Sequence, residues 1–123
     1  MSIARRLVLL RGQVPFDRLS DAEATALAAV TVEQSREAGK VVSPANEPLK
    51  YLYIVVRGQV LHGEQPLPAV FGGVAMVTGA TADVPLLAGP GGVDLLLIAR
   101  PHFFTLVAEC PWPLMALAQR GTS

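Results

Sequence analysis

Residues 38–60, AGKVVSPANEPLKYLYIVVRGQV, decide the fold because strand-forming runs alternate there with turn residues. β-Branched and aromatic side chains fill residues 41–42, 51–56 and 58–61, and glycine, proline and asparagine lie between these runs. Such runs, bounded by turn residues, are typical of short β-strands. The stretch therefore predicts strands joined by a loop at residues 43–50.

Strand-forming runs separated by turn residues continue toward the C-terminus. Further strand candidates lie at residues 67–71, 84–88 and 93–99, and AGPGG at residues 88–92 predicts a turn before the last strand. Many short strands at close spacing favour an antiparallel sandwich or barrel. We predict seven or eight strands within residues 31–100.

Helical patterns flank the strands on both sides. Ser20 and Glu23 have the spacing of a capping box, and a short helix around residues 7–10 precedes them. After the strands, Pro101 lies where a proline is favoured in the first turn of a helix. An apolar stripe follows the capping box at Ala22, Ala26, Leu27, Ala29 and Val30.

The composition indicates one small domain without a charge excess. Of 123 residues, 51% are hydrophobic and only 16% are charged, which suggests that a partner protein or a second copy covers part of the surface. The net charge of zero argues against nucleic-acid binding. A single cysteine, Cys110, excludes an internal disulfide and fits a reducing, cytoplasmic compartment. No unbroken apolar run is long enough to span a membrane.

Residues 38–60 resemble the first half of the cyclic nucleotide-binding domain, the fold of the catabolite activator protein and of kinase regulatory subunits. Gly39, Tyr53 and Gly58 match positions of that family without a gap, and Asn46 replaces its loop glycine. After glycine, asparagine is the residue that best adopts a left-handed backbone. The resemblance implies an α+β protein with an antiparallel β-roll (jelly-roll-like, a double-stranded β-helix) flanked by short N- and C-terminal helices.

The resemblance covers nearly the whole chain and implies a single domain over residues 1–123. Residues 1–30 correspond to the N-terminal helical segment and residues 31–100 to the β-roll. Residues 101–123 correspond to C-terminal helices that are truncated relative to the family's long final helix.

The stretch FGGVAMVTGATADVPLLA, residues 71–88, resembles the family's phosphate-binding cassette. Four positions match without a gap: Phe71, Gly72, Ala75 and Met76. The resemblance implies a ligand pocket made of Phe71, Gly72, Gly73, Val74, Ala75, Met76, Ala82 and Asp83. An apolar wall of Phe71, Val74, Met76 and Leu86 is either filled by its own side chains or open to another apolar group.

The cassette departs from the family at its two polar anchors. In the family a glutamate accepts a hydrogen bond from the ribose 2′-hydroxyl, and an arginine neutralises the cyclic phosphate. Gly73 and Ala82 occupy these positions, and the acidic Asp83 follows. The resemblance therefore implies that cyclic nucleotide recognition has been lost, unless Arg57 or Arg100 replaces the missing arginine.

No pattern points to catalysis, a metal or a cofactor. His62 and His102 have no further ligand residue at metal-binding spacing, so we predict no metal site. The sequence indicates no base that would activate the Cys110 thiol, and no serine lies in a nucleophile-elbow pattern. We predict a protein that is not an enzyme and needs no cofactor.

The predicted function is a regulatory or interaction module that has a protein partner or self-associates. Leu7, Leu10 and Trp112 are the interface candidates, because the N-terminal helix and the Trp112 segment offer apolar side chains. Two alternatives stay open. The chain is a sensor of a cyclic nucleotide or other small ligand that uses backbone donors, or it is a regulatory domain of a larger transporter, channel or transcription regulator.

Overall fold

The computed structural model describes residues 3–12 and 16–109, which form four α-helices, one 3-10 turn and six strands. In chain order these are α1 (Ile3–Arg11), the 3-10 turn (Phe16–Arg18), α2 (Asp21–Val30), β1 (Val32–Arg36), β2 (Val41–Ser43), β3 (Tyr51–His62), β4 (Gln65–Pro66), β5 (Val70–Phe71), α3 (Gly73–Thr78), β6 (Leu86–Ala99) and α4 (Arg100–Glu109). Helices thus flank the strands, as the sequence predicts.

Helix α2 begins at the predicted capping box. The Ser20 hydroxyl accepts a hydrogen bond from the Glu23 N–H at 3.1 Å, and the Glu23 carboxylate accepts one from the Ser20 N–H at 2.9 Å. The predicted apolar stripe is wrong at three exposed positions: Ala22, Ala26 and Ala29. The buried face consists of Ala24, Leu27 and Ala28. Alanine occurs on every side of this helix, so the apolar pattern does not identify the buried side.

The sheet is antiparallel throughout and open. Its strands run in the order β1-β6-β3-β4, while β2 pairs with β6 and β5 pairs with β3. Each of the other four strands is therefore hydrogen-bonded to one of two long strands, β3 or β6. This arrangement confirms the predicted antiparallel β-roll.

The prediction of seven or eight strands is wrong for the described part of the chain, because two predicted runs merge in strand β3. Gly58 has φ 84° and lies between two register shifts, so β3 bends there while it stays paired with β6. A Cβ at Gly58 would lie only 2.1 Å from the carbonyl oxygen of Gly92. Glycine is thus needed where the two backbones approach each other.

The predicted turn at residues 88–92 is also wrong, because these residues lie inside strand β6. Gly91 and Gly92 both have positive φ, 85° and 81°. They curve the strand instead of ending it, since glycine adopts this conformation without steric cost. The predicted strands at 84–88 and 93–99 are therefore one strand.

Strands β3 and β6 supply both hydrophobic cores. Alternate side chains of a strand point to opposite faces of a sheet. One face contributes Leu52, Ile54, Leu96 and Ile98 to a core with Phe16, Phe103 and the helices. The other face contributes Tyr53, Val60, Val93, Leu95 and Leu97 to a core that includes Phe71 and Leu86. The second core lies beside the cassette segment.

Helix α1 packs on the first core, which corrects one interface prediction. Leu10 is 0% exposed and is therefore not available to a partner, while Leu7 is half-buried against the same core. The Arg6 guanidinium donates to the carbonyl oxygen of Thr31 at 3.2 Å and ties α1 to the start of β1. Trp112 lies outside the described residues. No helix in residues 3–12 and 16–109 is long and apolar enough to cross a membrane.

Candidate ligand-binding cavity

The cassette segment leaves strand β5 through a glycine that no other residue replaces easily. Gly72 has φ 104°, and a Cβ there would lie 2.8 Å from the carbonyl oxygen of Tyr51. This turn starts the short helix α3, which Gly79 ends with φ 73°. The chain then crosses residues 80–85 and enters β6 at Leu86.

A cavity of about 380 Å³ lies between this segment and two other loops. A cavity of this size is at the lower end of the range for small-molecule sites. Its lining comprises Ser43, Pro44, Glu47, Leu49, His62, Leu67, Pro68, Val70, Phe71, Gly72, Gly73, Val74, Ala75, Ala80, Thr81, Ala82 and Leu86. Phe71, Val74 and Leu86 of the predicted apolar wall line this cavity.

Most predicted pocket residues line this cavity, with two exceptions. Met76 is 3% exposed and packs in the first core, because helix α3 turns its side chain away from the cavity. Asp83 is outside the lining, with a side chain that is 89% exposed and lies 3.9 Å from the His62 Nε2 atom. The prediction that Met76 and Asp83 line the pocket is therefore corrected.

The cavity lining contains no lysine or arginine among the described residues. Its only titratable side chains are Glu47 and His62. Arg57 is engaged elsewhere: its Nε donates to the Asp94 carboxylate at 2.8 Å. Arg100 donates to the carbonyl oxygen of Leu49 at 3.2 Å and does not line this cavity. Neither arginine takes the place of a cassette arginine in this structure.

Aromatic side chains pack at the base of the cassette. The rings of Tyr53 and Phe71 are stacked, with centroids 4.9 Å apart and planes 8° apart. Burial raises the pKa of Tyr53, and hydrogen bonding from Ser43 opposes this shift only in part. Ser43 is itself buried and lines the cavity, where it supplies one of few polar side chains.

The loops that frame the cavity are joined by their backbones. The N–H of Asn46 donates to the carbonyl oxygen of Ala82 at 2.8 Å. Asn46 has φ 61° and is the only described residue other than glycine with positive φ. The prediction of a left-handed residue at this position is confirmed, and this residue fixes one loop against the cassette.

Sequence reasoning missed several lining residues in the loops before β3 and after it. Glu47, Leu49 and Leu67 lie in loops, and His62 is the last residue of β3; the β-roll brings all four to the cavity. No local pattern marks them. In the described residues, no group of histidine, cysteine, aspartate or glutamate side chains could hold a metal ion.

A scan against protein-family models found no matching family, and a search of curated proteins found no match. Solved structures do match. The sensor domain of the transcriptional regulator DNR from Pseudomonas aeruginosa superposes with a TM-score of 0.75 at 18% identity, covering 95% of this chain and 86% of that one. The regulatory domain of Toxoplasma gondii PKA, crystallised with cAMP, superposes with a TM-score of 0.68 at 19% identity, covering 96% of this chain and 47% of that one.

A third match is a triple mutant of the regulatory subunit of a cAMP-independent protein kinase A from Trypanosoma brucei, bound to cAMP in the A site. It gives a TM-score of 0.72 at 17% identity, covering 96% of this chain and 47% of that one. The chain has the fold of the cyclic nucleotide-binding domain. It spans about half the length of the two kinase regulatory chains.

Within the cyclic nucleotide-binding fold, the two departures from the cassette pattern both line the cavity. Gly73 is buried at the start of α3, and Ala82 is half-buried beside the Asn46 loop. Neither residue carries a polar side chain. The cavity thus offers mainly backbone groups and apolar side chains.

Proposed function

We propose that this chain is a non-catalytic regulatory or interaction module whose cyclic nucleotide-binding fold no longer recognises cyclic nucleotides. The observation that carries the proposal is the absence of lysine and arginine from the described cavity lining. A cyclic phosphate carries a full negative charge, and arginine binds such groups through two parallel hydrogen bonds.

The energetic cost of the two replacements supports this proposal. A hydrogen bond to a charged group contributes about 1.5–3 kcal/mol. With Gly73 and Ala82 in place of both anchors, about 3–6 kcal/mol is missing, which corresponds to roughly two to four decades in affinity. Glu47 lines the cavity and Asp83 lies just outside it, so two carboxylates add repulsion for an anion.

The module acts by docking to a protein partner or to a second copy of itself. Val8 on helix α1 is 71% exposed and Ile3 is half-exposed, so the outer side of this helix offers apolar contacts. The chain could serve as a regulatory domain within a larger transporter, channel or transcription regulator. We place this activity in the cytoplasm, without direct contact with nucleic acid.

A second candidate is a sensor for a small, mostly apolar ligand. The open cavity of about 380 Å³ favours it, since ligand sites combine apolar walls with a few polar groups. Ser43 and backbone N–H groups would supply those polar contacts.

Isothermal titration calorimetry with cAMP, cGMP and cyclic di-GMP tests the main proposal. We expect no saturable heat with the wild-type chain at millimolar ligand. The double variant Gly73→Glu, Ala82→Arg restores both anchors and should bind cAMP at least a hundredfold more tightly.

The double variant Ala26→Glu, Ala29→Arg is the matched control, because it adds the same two charges on the exposed side of α2. It should not bind cAMP. Micromolar binding of any of the three nucleotides to the wild-type chain would overturn the proposal. The Trypanosoma brucei mutant bound to cAMP also contains an introduced arginine, which motivates the design.

A further inference from the structure

A second cavity, of about 360 Å³, lies where strand β3 begins, strand β6 ends and helix α4 begins. It is lined by Pro48, Lys50, Tyr51, Ala99, Arg100 and Pro101. Two of these six side chains are cationic and none is acidic. The charge of this lining is opposite to that of the first cavity, whose described lining contains a carboxylate and no lysine or arginine.

The two cations lie next to each other just beyond the end of the antiparallel ladder. Tyr51 and Ala99 are the last pair in the register of β3 and β6, Lys50 precedes β3, and Arg100 begins helix α4. The backbone N–H of Arg100 donates to the carbonyl oxygen of Lys50 at 3.0 Å. Like charges on adjacent residues repel each other. A negative charge bound between the two side chains would therefore be stabilising.

No described residue supplies that charge. Within residues 3–12 and 16–109, neither Lys50 nor Arg100 forms an ion pair. The guanidinium of Arg100 donates to the carbonyl oxygen of Leu49, but its Nε is buried and has no acceptor in the described structure. Buried donors without a partner are rare and often mark an unaccounted ion or water.

We propose that this second cavity binds a small oxyanion, specifically the phosphate group of a small molecule. Arginine presents a planar set of donors that matches phosphate oxygens, and lysine adds a mobile point charge. Lys50 and Arg100 would share the anion, which removes their mutual repulsion and gives the Arg100 Nε an acceptor. The proposal concerns a site separate from the cassette cavity.

The segment from residue 47 to residue 51 separates the two cavities. Glu47 and Leu49 line the first cavity, whereas Pro48, Lys50 and Tyr51 line the second. Side chains along an extended segment point alternately to its two sides. A phosphate-bearing ligand should therefore bind at Lys50 and Arg100 whether or not the first cavity is altered.

Titration of the full chain with inorganic phosphate, followed by ¹H–¹⁵N NMR at constant ionic strength with chloride as the balancing anion, tests the proposal. We expect saturable shifts with a millimolar dissociation constant, centred on the backbone amides of residues 50–51 and 99–100. Glycerol phosphate should shift the same amides. Linear shifts spread over the surface would refute the site, because they indicate unspecific ion binding.

Lys50→Gln should weaken phosphate binding about tenfold, because one charge-assisted contact is lost. Lys50 is exposed, so this variant is expected to fold. Lys40→Gln removes the same charge from another exposed lysine and serves as the matched control. Arg100→Lys keeps the charge but removes the planar donor set, and should also weaken binding. Equal affinity in the Lys50→Gln and Lys40→Gln variants would overturn the proposal.

Discussion

Replacement of Gly72 by alanine is expected to destabilise the protein far more than replacement of Gly79, although both glycines flank helix α3. Both have positive φ, 104° at Gly72 and 73° at Gly79, so a Cβ is strained at either position. A Cβ on Gly79 meets no atom within 4 Å, whereas one on Gly72 lies 2.8 Å from the Tyr51 carbonyl oxygen. The two variants therefore separate backbone strain from steric overlap.

The magnitudes follow from these contacts. A left-handed backbone costs an alanine about 1–2 kcal/mol, and the reduced entropy of the unfolded chain offsets about 0.4–1 kcal/mol of this. Gly79→Ala should therefore lower the free energy of unfolding by about 1 kcal/mol. Gly72→Ala adds an overlap with the backbone of β3, which costs about 1–3 kcal/mol more. Its total loss should be about 2–4 kcal/mol.

Urea unfolding, monitored by far-UV circular dichroism, measures both losses under one set of conditions. The slope of the transition should be unchanged in the Gly79→Ala variant, because the native surface is preserved. If the two variants lose the same free energy within about 0.5 kcal/mol, the close approach of residue 72 to strand β3 is not present in solution. The reasoning about the cassette turn would then fail.

Two further predictions concern burial. Because burial raises the pKa of Tyr53, the unfolded chain ionises first, and stability should fall as the pH rises above about 10. The Tyr53→Phe variant should lack this part of the loss of stability at high pH, as measured by urea unfolding at a series of pH values above about 10. If the variant lost as much stability at high pH as the wild-type chain, the prediction would be contradicted. Leu10→Ala should cost about 2–5 kcal/mol in the same assay, because Leu10 is fully buried. Val8→Ala on the exposed side of α1 should cost under about 0.5 kcal/mol, and similar losses in both would contradict the packing of α1.

The parts of the fold that depend on local chemistry could be predicted from the sequence. The capping box at Ser20 forms because a hydroxyl and a carboxylate three residues apart satisfy each other's backbone N–H groups. Asn46 adopts the left-handed conformation expected of a residue in the place of a loop glycine. The antiparallel β-roll follows from the order of strand-forming runs and from the resemblance.

The features that depend on distant contacts could not be predicted. Gly58 looks like the end of one strand and the start of another, but pairing with β6 carries the strand through it. Met76 lies in an apolar run that gives no sign of which side faces the core. Glu47, in the loop before β3, and His62, at the end of β3, reach the cavity only because the roll brings both next to the cassette. Lys50 and Arg100, which are 50 residues apart in the sequence, become neighbours only because β3 and β6 pair up to Tyr51 and Ala99.

The two long strands also bear on how such a protein changes over generations. Strands β3 and β6 contribute to both cores, so natural selection for stability acts on residues such as Ile54 and Leu96. The two cavity-lining positions that depart from the cassette pattern, Gly73 and Ala82, belong to neither core. A lineage can therefore exchange the chemistry of its cavity by single substitutions while it stays above the stability threshold for folding. In this architecture, the residues that maintain the fold and the residues that line the cavity can change independently.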